Sequence, residues 1–116
     1  MTNNKILGNQ GEGLAVKYLK KHRYKILFTQ YRCRVGEVDI VAQTKDKTYV
    51  FVEVKTRNSL TKGLPREAVT QSKQRTIVKC AQLFVLDNKI NGASIRFDVI
   101  EVTNGEINHI VDAFRP

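Results

Sequence analysis

The sequence predicts an α/β fold in which a central mixed β-sheet is flanked by helices. Helical spacing of apolar residues occurs near the N-terminus and again after residue 70, and five β-prone segments lie between and after these two helices. Elements in this order bury their apolar faces by packing against one another in layers. With 116 residues, of which 41% are apolar, the chain can form one hydrophobic core. We therefore expect a single domain over residues 1–116.

The first helix is predicted over residues 9–22, with Asn9 as its N-cap. Apolar residues recur on one face of this helix at intervals of three and four: Gly11, Leu14, Ala15, Tyr18 and Leu19. Residues 1–8 are mostly polar and are predicted to be frayed. Glu12 falls in the first turn, where the helix dipole is by itself a sufficient reason for an acidic residue.

Five segments rich in β-branched and aromatic residues are predicted to be strands, over residues 24–31, 35–43, 48–56, 94–102 and 106–111. The second and third strands form an antiparallel hairpin around a short polar turn. Asn104-Gly105 joins the last two strands and is a strong signal for a type I′ turn. A second helix over residues 71–85 is capped by Thr70, and its predicted buried face is Ile77, Cys80, Ala81 and Phe84.

The central hairpin carries charged residues inside its most apolar stretch. Strand side chains alternate between two faces, so Glu53 and Lys55 share one face of the second hairpin strand. On the first hairpin strand we expect one face to hold Glu37 and Asp39, and the other Val38, Ile40 and Ala42. Charged groups are rarely buried unless they are paired or bind a metal. The hairpin is therefore the candidate active site.

Asp39 and Glu53 lie on adjoining strands and can offer two carboxylates to Mg²⁺, which prefers oxygen ligands and takes one or two carboxylates in proteins. The main-chain carbonyl of Val54 would add a third oxygen. Lys55 would orient or deprotonate a water molecule, or neutralise charge on a phosphate. The competing interpretation is structural, with Lys55 only offsetting the charge of Glu53 within the sheet. The hairpin pattern alone leaves both interpretations open.

The charge balance indicates an anionic partner. Lys and Arg number 20 against 11 Asp and Glu, which gives a net charge of +9 and a pI near 9.8. Nucleic acid is the partner that this balance favours, although a ribosome or an anionic membrane surface also fits it. The basic residues that bracket the candidate site are expected to contact DNA phosphates, with solvation of the surface as their alternative role: Arg32, Arg34, Arg57, Lys62, Arg66, Lys73 and Arg75.

Cys33 and Cys80 are widely separated, and the chain has two histidines, His22 and His109. This spacing predicts neither a zinc site nor a disulfide framework, and two free thiols suit a reducing cytoplasm. No apolar run approaches the roughly 20 residues of a transmembrane helix, so we expect no membrane partner. No Gly-rich phosphate loop is present, and no small-molecule cofactor is expected.

Two further groups of polar residues are expected to be structural. Asp98 interrupts an apolar strand two residues after Arg96, and we expect it to form a structural salt bridge, with Arg96 or with a neighbouring loop, rather than to act in catalysis. His22 and His109 stand alone in the sequence and are expected to be surface or packing residues.

The candidate site has an acid, thirteen intervening residues and then Glu-x-Lys, after a helix that carries a glutamate. In this arrangement the chain resembles the PD-(D/E)xK nuclease superfamily and, within it, the YraN-type bacterial family of predicted endonucleases, which is similar to archaeal Holliday-junction resolvases. The matching stretches run in order along nearly the whole chain, at residues 8–12, 36–39, 51–57, 73 and 96–99. The run Phe-Val-Glu-Val-Lys-Thr-Arg at 51–57 is rather specific, whereas the superfamily motif alone is weak.

The resemblance implies a restriction-endonuclease-like three-layer core and metal-dependent hydrolysis of DNA phosphodiester bonds, with Mg²⁺ or Mn²⁺ as cofactor. Asp39 and Glu53 would bind the metal beside Val54, and Lys55 would assist catalysis. Glu12 would complete the site as a further catalytic and metal-binding group. Branched or recombination DNA is the implied substrate, and a homodimer is implied because a four-way junction needs two symmetric cuts. The alternative is a catalytically idle module that binds nucleic acid with the same fold.

Overall fold

The computed structural model describes residues 2–57 and 69–116, with side chains from Gln10 onward. In chain order its elements are α1 Thr2–Lys21, β1 Lys25–Cys33, β2 Gly36–Gln43, β3 Tyr49–Arg57, α2 Gln71–Asp87, β4 Ile95–Thr103 and β5 Glu106–Phe114. The strands form one sheet in the order β1-β2-β3-β4-β5. β3 and β4 are parallel and the other neighbours are antiparallel. The predicted α/β fold with a central mixed sheet is confirmed.

The two helices cover opposite faces of the sheet, and each seals its own apolar cluster. α1 contributes Ala15 and Leu19 to a cluster with Ile40, Val52 and Ile100. α2 contributes a different set to the second cluster, in which its residues Ile77, Cys80, Ala81 and Phe84 pack against Val41, Phe51 and Val99. Alternate residues of β3 therefore serve opposite layers, as the period of two requires. The sheet is the middle one of three layers.

The hairpin turn and the helix cap follow the predicted chemistry. Asn104 and Gly105 have φ values of 51° and 83°, and a type I′ turn requires a positive φ at both positions. The Thr70 hydroxyl accepts a hydrogen bond from the backbone N–H of Lys73 at 3.1 Å, which satisfies one donor in the first turn of α2. The predicted buried face of α2 is also confirmed.

The predicted start of the first helix is wrong. α1 begins at Thr2, so Asn9 lies inside the helix rather than at its N-cap, and residues 2–8 are helical rather than frayed. Each residue added to a helix gains one backbone hydrogen bond, whereas an interior Asn costs less than about 1 kcal/mol relative to Ala. A good capping residue therefore marks only one of the places where a helix can begin.

The face predicted for Val38 is also wrong. Val38 packs in the cluster beneath α2, whereas Ile40 and Ala42 pack beneath α1. The alternation of β2 breaks at Asp39, where its ladder with β3 ends and where the residue opposite on β1, Gln30, has a positive φ of 50°. Such irregularities twist a strand pair locally and break strict alternation.

The two cysteines form a disulfide, so the expectation of free thiols is wrong. Cys33 ends β1 and Cys80 lies in α2, and their Cα atoms are 5.6 Å apart. Residues 47 positions apart meet only after α2 has packed on the sheet, and the spacing of the cysteines does not reveal that contact. In the two described parts of the chain, no helix is long and apolar enough to cross a membrane.

Candidate active site

Asp39 and Glu53 lie where the ladder between β2 and β3 ends. The paired residues run from Gln43 and Tyr49 to Ile40 and Val52, so Asp39 is the next residue of β2 beyond the ladder. Its carboxylate accepts a hydrogen bond from the backbone N–H of Val54 at 2.8 Å. The N–H and C=O of one strand residue point the same way, so the Val54 carbonyl also faces β2. The Asp39 carboxylate, the Glu53 carboxylate and the Val54 carbonyl therefore lie together where β2 and β3 separate.

The Glu53 carboxylate is buried and only partly partnered. Glu53 is 5% exposed, and its Oε2 lies 3.7 Å from Lys55 Nζ, while its Oε1 has no hydrogen-bond partner. Burial and the nearby charge of Asp39 raise its pKa to about 7, and so does a hydrogen bond shared with the Asp39 carboxyl group, whereas the charges of Lys73 and Lys55 act in the opposite direction. A buried carboxylate oxygen without a partner is costly, and a bound cation would remove that cost.

Glu12 approaches Asp39 from α1. Gly11 makes this approach possible because a Cβ atom at this position would overlap the Thr56 side chain of β3. Burial raises the pKa of Glu12, and the charges of Asp39 and Glu37 add to the increase, while a hydrogen bond to Gln30 opposes it. Glu12 therefore lies within electrostatic range of Asp39, and its part as a metal ligand stays a prediction.

Lys73 is brought to this site by α2. Its Nζ donates a hydrogen bond to the Glu37 carbonyl at 3.1 Å, and its charge lowers the pKa of Glu53. Sequence reasoning placed Lys73 among the DNA-contacting residues and missed its position beside the carboxylates. The one available signal was its match to a family stretch, because α2 is far from the hairpin along the chain.

The residues present fit Mg²⁺ with few protein ligands. Within residues 2–57 and 69–116, no group of three or more His, Cys, Asp or Glu side chains could hold a metal ion. Asp39 and Glu53 would therefore bind as a pair, together with the Val54 carbonyl, and the unpartnered Oε1 of Glu53 suits that role. Mg²⁺ usually keeps several water molecules and takes its other ligands from substrate phosphate.

Comparison with known proteins places the chain in a family. The model of the uncharacterised protein family UPF0102 matches residues 11–102. This chain belongs to the UPF0102 family. It is 52% identical over 115 residues to a UPF0102 protein of Geobacter metallireducens, covering 96% of this chain and 93% of that one. It is 50% identical over 117 residues to a UPF0102 protein of Alkaliphilus oremlandii, covering 96% and 99%. UPF0102 is the YraN family that the sequence resembles.

Among solved structures, this UPF0102 chain matches one described as Pyrococcus furiosus SfsA in complex with Ca²⁺. The match covers 93% of this chain and 62% of the SfsA chain, with 13% sequence identity and a TM-score of 0.34. We base no conclusion about the UPF0102 chain on a similarity at this level.

The predicted DNA-contacting residues of the UPF0102 chain are spread over several environments. Arg32 Nε lies 3.2 Å from Glu37 Oε2 at the surface, whereas Arg57 Nε lies 2.9 Å from Glu101 Oε2 with both side chains largely buried. Arg34 and Arg75 are exposed. Lys62 and Arg66 lie outside the described residues. The structure thus brings Lys73 to the carboxylate site, pairs Arg32 with Glu37 at the surface and commits Arg57 to an ion pair between β3 and β4.

A second polar cluster in the UPF0102 chain contains Asp98, which is fully buried. Arg96 donates two hydrogen bonds to its carboxylate at 2.9 and 2.8 Å, as the expected ion pair requires. His109 Nε2 lies 2.7 Å from the same carboxylate, and His109 Nδ1 lies 3.0 Å from the Tyr18 hydroxyl. The His109 side chain is therefore a buried packing group, as one of its two expected roles requires, and it has two polar partners. The sequence contained one indication of the contact between His109 and Asp98. The type I′ turn sets the register between β4 and β5, which places His109 opposite Ile100, two residues from Asp98.

Proposed function

We propose that the chain is a metal-dependent endonuclease that hydrolyses DNA phosphodiester bonds. The observation that carries this proposal is the pair of carboxylates at the end of the β2–β3 ladder, one of them buried with an unpartnered oxygen, beside two lysines. In a chain of net charge +9, such a site is suited to a negatively charged substrate. The superfamily resemblance of the hairpin and membership of UPF0102 support the proposal.

In the proposed mechanism, Asp39, Glu53 and the Val54 carbonyl would hold Mg²⁺ or Mn²⁺. Such a metal would supply a water of lowered pKa and neutralise charge on the phosphate. Lys55, 3.7 Å from Glu53 Oε2, would orient the attacking water when it is protonated, or accept the proton of that water when it is neutral. Lys73 would add positive charge next to the scissile phosphate. Glu12 assists from α1 by holding a water molecule on the Asp39 side.

We further propose branched or recombination DNA as the substrate and a homodimer as the acting form. Two copies related by a two-fold axis would make symmetric cuts in a four-way junction. Exposed arginines, Arg34 and Arg75 among the described residues, would contact phosphates on either side of the cut.

The deciding experiment is cleavage of labelled four-way junction, flap, fork, duplex and single-stranded DNA with Mg²⁺ or Mn²⁺. Glu53→Ala and Asp39→Ala should reduce cleavage at least about 100-fold, because each removes a metal-binding carboxylate. Glu106→Ala is the matched control, since Glu106 is an exposed acid at the start of β5. Cleavage that survives both site variants would refute the proposal. DNA binding without products, equal in wild type and Glu53→Ala, would favour the idle binding module instead.

A further inference from the structure

A separate groove lies beside the carboxylate site, at the β1 edge of the sheet. Its volume is about 640 Å³, and it combines apolar with charged side chains: Tyr31, Leu83, Leu86, Arg32, Arg34 and Asp87. No part of the chain within the described residues occupies this groove, and the proposed cleavage mechanism does not use it.

One wall of the groove is apolar and open to solvent. Leu86 is 71% exposed, although a leucine of α2 would ordinarily be buried by a neighbouring element. The Tyr31 ring is half-buried, with its centroid 5.4 Å from that of Phe84 and 5.5 Å from that of Phe28. Phe28 is itself 46% exposed. The Tyr31 ring of this wall is the kind of side chain on which nucleic-acid bases stack.

The other wall carries positive charge. The side chain of Arg32 is 82% exposed and reaches Glu37 at 3.2 Å. Arg34 is exposed, and no residue in the described ranges forms an ion pair with it. An exposed guanidinium next to an apolar wall is suited to a ligand with a phosphate at one end and a flat base at the other.

The groove is close to the carboxylates. Arg32 is the cross-strand partner of Glu37, which precedes Asp39 by two residues on β2. Two residues of a strand span about 7 Å and neighbouring strands are about 5 Å apart, so the Cα atoms of Arg32 and Asp39 are about 8–9 Å apart. A strand whose phosphate lies at Asp39 therefore needs only a few nucleotides to reach the groove.

We propose that this groove binds an unpaired nucleotide of the DNA substrate, with its base against Tyr31 and Leu86 and its phosphate on Arg32 and Arg34. The inference rests on the proposed endonuclease function and names its substrate class: DNA in which a single-stranded segment lies next to the cut. A nucleotide within a continuous duplex is stacked and paired, and its base is not free to enter the groove. Forks, flaps and opened junctions supply such a nucleotide.

The test compares two double variants by fluorescence anisotropy in EDTA, with a labelled fork that has unpaired dT arms and a blunt duplex of equal length. Arg34→Ala/Leu86→Ala removes one positive charge and one exposed apolar side chain from the groove. Lys17→Ala/Leu14→Ala removes the same two groups from the outer surface of α1, where Leu14 is 39% exposed. Circular dichroism establishes that both variants are folded.

The groove variant should bind the fork about 10-fold more weakly and the blunt duplex no more than about 3-fold more weakly, because the apolar contact of Leu86 with an unpaired base exists only on the fork. The α1 variant should not change the preference for the fork. Equal weakening on both DNAs, or no change on either, would overturn the proposal. A change of oligomeric state would also overturn it. If light scattering finds a dimer in wild type but not in the groove variant, and the preference for the fork is unchanged, then a second copy of the chain occupies the groove. The binding assay contains no metal, so it tests the groove independently of cleavage. Fork-selective binding in this assay, together with no cleavage in a separate assay with Mg²⁺, would support the groove proposal and refute the proposed endonuclease function.

Discussion

Glu53 has surroundings that differ sharply from those of a surface acid. Its carboxylate is 5% exposed, one of its oxygens lacks a hydrogen bond, and burial is the main reason why its pKa rises from 4.5 to about 7. The folded chain therefore favours the protonated carboxyl, while the unfolded chain ionises near pH 4.5. This difference links the stability of the metal-free protein to pH.

The first prediction follows from the direction of that shift. As pH rises from about 4.5 to about 7, the free energy of unfolding of the metal-free chain should fall by up to about 3 kcal/mol, since each pKa unit corresponds to about 1.4 kcal/mol. Glu53→Gln should abolish this loss, and Mg²⁺ should restore stability to wild type near pH 8 by binding the folded state. Urea unfolding in EDTA at about pH 5 and pH 8 measures both effects. Parallel pH profiles for wild type and Glu53→Gln would contradict it.

Asp98 differs from Glu53 because its buried carboxylate is fully partnered. Burial alone would raise its pKa, but hydrogen bonds from His109, Arg96 and the Asp112 backbone outweigh burial and lower the pKa below its ordinary value. Its contribution to stability is therefore present above the pKa of an unfolded Asp, near 3.9, and is lost as pH falls through the lower folded pKa. These contacts tie β4 to β5.

The second prediction concerns the loss of this acceptor. Asp98→Ala should destabilise the fold by about 3 kcal/mol or more, because Arg96 and His109 lose the carboxylate that they share. Urea denaturation at neutral pH measures the change, and Glu106→Ala serves as an exposed control. A loss below about 1 kcal/mol would show that the cluster is dispensable for stability.

Packing between α1 and β3 depends on a glycine. A Cβ atom at Gly11 would overlap the Thr56 side chain, whereas a Cβ atom at Gly13, two residues further along the same helix, would meet nothing within 4 Å. Substitutions at the two glycines therefore measure two effects separately, namely helix propensity at Gly13 and close packing at Gly11. Glu12 lies between them, so the fit of α1 on β3 also sets the position of a candidate site residue.

The third prediction uses this pair. Gly13→Ala should stabilise the chain by about 0.5–1 kcal/mol through helix propensity, while Gly11→Ala should destabilise it by about 1–3 kcal/mol because the overlap must be relieved. Thr56→Ala in the Gly11→Ala background should recover part of the loss. Thermal and urea unfolding of the four proteins provide the measurement, and equal effects at the two glycines would contradict the packing argument.

The disulfide joins α2 to the end of β1 across 47 residues of sequence. It closes a long loop in the unfolded chain, and that loop includes β2, β3 and the candidate active site. α2 also carries Lys73, which bonds the Glu37 carbonyl, so the bond ties two elements that meet at the site.

The fourth prediction is that reduction destabilises the protein. Opening a loop of this length should lower the free energy of unfolding by about 2–4 kcal/mol, chiefly because the unfolded chain regains conformational entropy. Urea unfolding with and without dithiothreitol measures the loss. Cys33→Ser/Cys80→Ser should match the reduced protein and should not respond to the reductant. Identical curves for oxidised and reduced wild type would contradict this prediction.

The excess of positive charge belongs to the molecule as a whole, and its effect is measured most directly through salt. A chain of net charge +9 that binds DNA through phosphates releases counterions from the duplex on binding.

The fifth prediction is a linear fall of log Kobs with log salt for a blunt duplex, with about 0.9 in the slope for each phosphate contact. Arg75→Ala, on the exposed surface of α2, should reduce the slope by about that amount, whereas Lys20→Ala on α1 should leave it unchanged. DNA-binding titrations at several salt concentrations measure the slope for wild type and for each variant. A slope near zero would exclude a phosphate-based interface.

Local periodicity determined most of the architecture. Alternation along β3, the Asn104-Gly105 turn and the Thr70 cap depend on residues a few positions apart, so they could be read without coordinates and are confirmed. The proximity of Asp39 to Glu53 was also predictable, because a hairpin makes its two strands neighbours. The carboxylate pair and its lysine are local features of one hairpin.

The tertiary structure decided which distant groups meet. The Cys33–Cys80 bond, the contact of Lys73 with the Glu37 carbonyl, and the shared contacts of Asp98 each join separate elements. Their formation depends on how helices dock on a twisted sheet, which is governed by the combined packing of two apolar clusters rather than by any short pattern. The sequence alone thus specified the acids of the candidate site, while helix docking decided the charges and cross-links that surround them.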